Sequence, residues 1–213
     1  MSMANIVIEK DRALIGFDTL AGFMNGAELH MSDADRFGKH TCKVSLFPHM
    51  DMAMTHRGDA LLTRLVQFNL DLSLAQDFDQ AVEYMHALLP QAHEQAMTHR
   101  KARFNIESFE GAEVILVGWS KLIQGFDAVR WMRYPGDPAY ICTSASNGIL
   151  LPATDQTDEM ALPADAEAME RVARHQVEWA RREYPSYPVG GRLMLVHLRR
   201  GSLSVREIAD LGG

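Results

Sequence analysis

The hydrophobic pattern of this chain changes period in blocks, and the order of those blocks limits its possible layer arrangements more than any other feature. The β-branched run Asn5-Ile6-Val7-Ile8-Glu9, the turn Lys10-Asp11-Arg12 and the run Ala13-Leu14-Ile15-Gly16-Phe17 predict a hairpin. Lys43 to Phe47 and Asp51 to Thr55 predict a second strand pair turning at Pro48-His49. The stretch 20–42 between them holds short apolar pieces broken by Gly22, Gly26 and Gly38. After Gly58 the period becomes helical, with Leu61, Leu65, Phe68 and Leu72 recurring along one stripe. A second helix is expected after Asp77, which can cap it with Gln80 three residues on, and its stripe is Val82, Met85, Leu89, Ala92 and Ala96. Pro90 is expected to kink or split that helix.

Strand signals return at 112–118, at 126–134 and from Tyr140, followed by an expected loop over 147–162. A third helix spans Asp165 to Glu183 with Met169, Val172, Gln176 and Ala180 on one face, and Tyr184-Pro185 ends it. Residues 192–198 and 203–205 form a last strand pair. Helices in blocks, not alternating singly with strands, disfavour a doubly wound parallel sheet. They favour an α+β arrangement in which antiparallel sheets carry helices on their outer faces. The 213 residues show no internal repeat, low-complexity tract or Pro/Gly/Ser-rich linker, so a single domain over 1–213 is expected.

A formal charge of −7 argues against nucleic-acid binding, which needs clustered cations to displace counterions from phosphates. The basic stretch His99-Arg100-Lys101-Ala102-Arg103 reads as a solvated helix C-terminus. No apolar run approaches the ~20 residues that cross a bilayer, and no signal peptide is visible, so no membrane partner and a cytoplasmic location are expected. Cys42 and Cys142 lie outside any C-x-x-C pair and read as reduced, partly buried thiols. His30, His40, His49 and His56 lack metal-ligand spacing, and there is neither a P-loop nor a G-x-S-x-G elbow. No metal or cofactor is expected. Trp119, Trp131 and Trp179 are assigned to the core or an interface.

Several of these pieces together resemble the proteasome β-subunit family of N-terminal-nucleophile (Ntn) hydrolases, including its bacterial proteasome-related members. They are the opening hairpin ending in Asp18-Thr19, then Lys43-Val44, then Thr55-His56-Arg57-Gly58-Asp59-Ala60 leading into a long helix. The serine-containing turn Thr143-Ser144-Ala145-Ser146 and the pair Gly190-Gly191 before the final strands complete the order. The resemblance implies a four-layer αββα sandwich of two antiparallel sheets, a peptide or amide substrate, and a homo-oligomer, with a ring as its expected form.

It also implies roles. Ser2, freed by removal of Met1, would be the nucleophile and its α-amine the base. Lys43 would lower the pKa of that amine by like-charge repulsion, and Asp18 would hold Lys43. Gly58 or Arg57 would supply the oxyanion donor at the helix start. Ser144 and Glu183 would support the nucleophile. The sequence departs from the family pattern at Glu183 and Val189, at the extra residues Pro185 to Pro188, and at Arg57, which stands where a glycine is expected. A start at Met3, or a retained Met1, would leave no free nucleophile. The rival reading is a catalytically inactive protein of the same fold with a structural or self-assembly role. In it, Ser2 is an ordinary second residue, Asp18 a turn residue and Lys43 a solvated strand start.

Overall fold

The computed structural model of this chain describes residues 2–20, 22–25, 28–31, 42–109, 111–157, 160–185 and 189–212, the side chains of 22–25 and 28–31 excepted. Met1, most of the glycine-broken stretch at 32–41 and residues 186–188 lie outside the described residues.

One sheet is built from β1 (Ala4–Ile8), β2 (Arg12–Asp18), β10 (Ile149–Leu151), β11 (Arg192–Arg199) and β12 (Ser202–Asp210), in the order β10-β1-β2-β11-β12. The other contains β5 (Val44–Phe47), β6 (Met52–Gly58), β7 (Ala112–Ser120), β8 (Gly125–Arg133) and β9 (Ile141–Ser144), in that spatial order. A small hairpin, β3 (Gly22–Asn25) with β4 (Glu28–Met31), stands beside them. All pairings are antiparallel.

The period-2 alternation of the strands sorts their side chains into layers. Ile6, Ala13, Ile15, Phe17, Val196 and Leu198 of the first sheet meet Val44, Ala53, Ile115, Val117, Phe126 and Ala128 of the second in a core between the sheets. The intervening residues face helices. Met52, Met54, Val114, Leu116 and Trp131 pack against α1 (Ala60–Leu72) and α2 (Phe78–Phe104). On the opposite side, Val7, Leu14 and Leu195 pack against Met169 of α3 (Ala166–Glu183), and Met3 and Leu193 against Ala173, Val177 and Ala180. The result is four layers, helices–sheet–sheet–helix, as the block order predicts.

Two glycines allow the layers to close. A Cβ at Gly16 would lie 2.5 Å from Met169 Sδ, and one at Gly118 would lie 2.6 Å from Phe78 Cδ2. Both sit where a strand passes directly beneath a helix, so a hydrogen in place of a methyl sets the sheet-to-helix spacing.

Four expectations need correction. Pro90 does not split its helix, which runs through it for 27 residues. Both Pro90 and His86, whose carbonyl loses its donor, lie on the solvent face, where water can serve that carbonyl. The stripe of α1 is displaced by one residue: Leu62, Val66 and Leu70 are buried, while Phe68 and Leu72 are exposed. That helix has an apolar arc wider than its inner face, so spacing alone did not select that face. The expected loop over 147–162 contains β10, which pairs with β1. Cys42 and Cys142 are both exposed, the latter on the edge strand β9.

Candidate functional site

The chain enters β1 at one end of the cleft between the two sheets, and there its first described peptide is gripped on both sides. The Met3 N–H donates to Asp18 Oδ1 at 2.8 Å, and the Ser2 carbonyl accepts from Arg57 Nε at 2.7 Å. Asp18, the last residue of β2, is fully buried and accepts three hydrogen bonds. Its Oδ1 also takes Lys43 Nζ at 2.8 Å, and its Oδ2 takes the Gly190 N–H at 3.1 Å. Lys43 is 3% exposed. Removing either partner of such a pair strands a buried charge at a cost of ~3–5 kcal/mol.

The register of the sheets explains this convergence. Asp18 pairs with Leu193, one residue past Arg192 in β11, so the turn at Gly190 is carried back over its carboxylate. Gly190 has φ 123°, and a Cβ there would lie 2.4 Å from the Gly212 carbonyl, so glycine is required for this approach. Lys43 precedes β5, and its carbonyl is tied to β6 by the Thr55 hydroxyl at 3.1 Å.

Electrostatics set the character of the pocket. Burial draws the Lys43 ammonium below the usual lysine range; Asp18 opposes this, and the nearby positive charge of Arg57 adds to the lowering. His56, next to Arg57 on β6, is pulled down to about 4, first by burial and then by the charges of Lys43 and Arg64. It is a neutral imidazole at pH 7.

Arg57 belongs to a second charged group. Its Nη1 lies 3.2 Å from Glu113 Oε1, Arg130 Nη2 lies 3.0 Å from Glu113 Oε2, and the Tyr134 hydroxyl donates to Glu113 Oε1. Arg57, Glu113 and Arg130 come from three neighbouring strands and continue, toward the chain start, the inward-facing rows that deeper in the sandwich are apolar. Glu113 is 4% exposed.

Gly58 ends β6 with φ 88°, and a Cβ on it would lie 2.3 Å from the Gly111 carbonyl. Asp59 then caps α1, its carboxylate accepting the N–H groups of Leu61 and Leu62. Ser2, Asp18, Lys43 and Arg57 are thus linked directly or through one shared atom, with Gly58 adjacent in the chain.

Ser144 and Glu183 are held elsewhere. Ser144, exposed on β9, shares a hydrogen bond with Ser146, which donates to Asp127. Glu183, at the end of α3, is exposed and paired with Arg182. Sequence reasoning did not single out Glu113, Arg130, Tyr134 or the Gly190 N–H as partners of the site. The available signal was Glu113, the single charged residue of the otherwise apolar β7; β8 carries Asp127, Arg130 and Arg133 and offered no such contrast.

The fold has known counterparts. A mutant of Anbu from Hyphomicrobium sp. strain MC1 superposes with a TM-score of 0.59 at 13% identity, covering 98% of this chain and 87% of that one. Anbu from Yersinia bercovieri, described as an ancestral beta-subunit, gives 0.59 at 12% identity with the same coverage. The similarity establishes a proteasome-like fold. No protein-family model matches the sequence, and no curated protein matches it.

Proposed function

We propose that this protein is a proteasome-like N-terminal-nucleophile amide hydrolase, acting on peptide or amide bonds through Ser2 once Met1 is removed, and working as a homo-oligomer. The observation that supports this reading is the sharing of Asp18 Oδ1 by Lys43 Nζ and the Met3 N–H, which ties a buried lysine and the peptide following residue 2 to one atom. In this scheme the α-amine of Ser2 takes the hydroxyl proton as Oγ attacks the scissile carbonyl. Lys43 keeps that amine unprotonated by its charge, Asp18 orients Lys43, and the backbone at Gly58 faces the developing oxyanion. The protonated amine then delivers its proton to the leaving nitrogen, and water releases the acyl group from Oγ.

A β-lactone probe tests the scheme. Ser2 Oγ should open the ring to an ester, the ring C–O bond breaking and the proton passing through the amine to the new hydroxyl. Intact mass should show loss of Met1, with a single adduct mapping to Ser2. A chain that retains Met1 and takes up no label would instead support the structural reading, which the outward placement of Ser144 and Glu183 favours.

A further inference from the structure

We propose that Arg57 is a positioning residue for Ser2, aimed by a relay running from Tyr134 and Arg130 through the buried Glu113. This deepens the catalytic reading of Ser2 and rests on it. A nucleophile that also supplies the general base must have both its N and its Oγ fixed, and both hang from the same Cα. One contact to the following peptide leaves that peptide free to rock about the contact. Here the Ser2–Met3 peptide is held at its N–H by Asp18 and at its C=O by Arg57, at 2.8 and 2.7 Å, by side chains from two different sheets. Both holding groups also pair with other side chains of the site, Asp18 with Lys43 and Arg57 with Glu113. The peptide plane is therefore referenced to both layers of the sandwich at once, and the direction of residue 2 follows from it.

The guanidinium needs its own orientation, and Glu113 supplies it. Glu113 Oε1 takes Arg57 Nη1 and the Tyr134 hydroxyl, while Oε2 faces Arg130. Arg57 and Tyr134 hydrogen-bond Oε1 while the Arg130 charge lies 3.0 Å from Oε2, and the rigid plane of the Arg57 guanidinium carries that orientation to Nε. A lysine at 57 would supply the charge without the fork.

The test measures acylation of Ser2 by a β-lactone in the full chain, separating the first-order acylation rate from the probe's binding constant. Arg57→Gln should lower the acylation rate on the order of 10–100-fold, with the binding constant within roughly twofold. Arg57→Lys should recover only part of the rate. Tyr134→Phe removes one oxygen from a half-exposed residue and should slow acylation in the same direction, so it carries the test if Arg57→Gln does not fold. Amide exchange at Met3 should rise in every slowed variant. Wild-type chain labelled at Ser2, with folded variants acylated at the wild-type rate, would overturn the positioning role and leave the catalytic reading standing. Absence of Ser2 labelling in wild type would overturn both.

Discussion

At the scale of single residues, the site is a place where charges are buried in pairs, and one neighbour, the partly buried His56, is held without a charge. His56 has a folded value of about 4 against an unfolded value near 6.5. Between those values the unfolded chain binds a proton that the folded chain does not, so stability rises with pH across that window and falls as the solution is acidified through it. The contribution is up to ~3 kcal/mol, present in full above pH 6.5 and lost by pH 4. Urea unfolding at pH 7 and pH 4.5 should therefore show a smaller acid-induced loss in His56→Gln than in wild type. Equal losses in the two proteins would remove His56 from the account. Asp18 and Lys43 were singled out in the sequence by the family resemblance alone; local pattern reads them as a turn residue and a solvated strand start, and their burial is set by the packing of the two sheets. Glu113 and Arg130 were not, since a charged residue in a strand ordinarily faces solvent, and only the paired register shows that both point inward.

At the scale of elements, the strongest constraint is closeness between strands and helices. Gly118 in β7 lies under the start of α2, where an added methyl would meet Phe78 Cδ2 at 2.6 Å and Phe78 Cβ at 3.0 Å. Phe78 is the first residue of a helix capped by Asp77, so it has little freedom to retreat. Gly118→Ala should destabilise the fold by ~1–3 kcal/mol through overpacking, read as a lower urea midpoint with unchanged slope; an unshifted midpoint would show that the helix start yields freely. The cap at Asp77 and the inner face of α3 were legible, because local hydrogen bonding and a clean 3.6-residue stripe determine them. The inner face of α1 and the strand β10 were not. The first has an apolar arc wider than its inner face, and the second is three residues long and made only by its partner β1.

At the scale of the whole molecule, the sequence carried the layer order but not its fit. Blocks of strands and helices sufficed for two antiparallel sheets between helical layers. The charged row that closes one end of the apolar interior depends on registers across three strands, which no local pattern encodes. The outer surface of α1 leaves Phe68 and Leu72, with nearby Leu74, exposed at 58%, 67% and 84%. For a protein proposed to self-assemble, this is the apolar surface an interface would cover. Light scattering at micromolar concentration should report a mass several times that of the 23.9 kDa chain. A Leu72→Glu, Leu74→Glu double variant should shift it toward the monomer, whereas a monomeric wild type would count against the assembly proposal.

The seating of β1 between β2 and β10 has a consequence in time. Asn5 leaves the ribosome well before its partners: the Leu151 N–H that its side chain accepts follows 146 residues later, and Gln176 later still. At ordinary elongation rates that gap lasts ~7–30 s. Throughout it, the nascent chain displays an unzipped hydrophobic border to neighbouring chains on the same message. A slow codon placed within this interval should therefore cost soluble yield without altering the finished molecule.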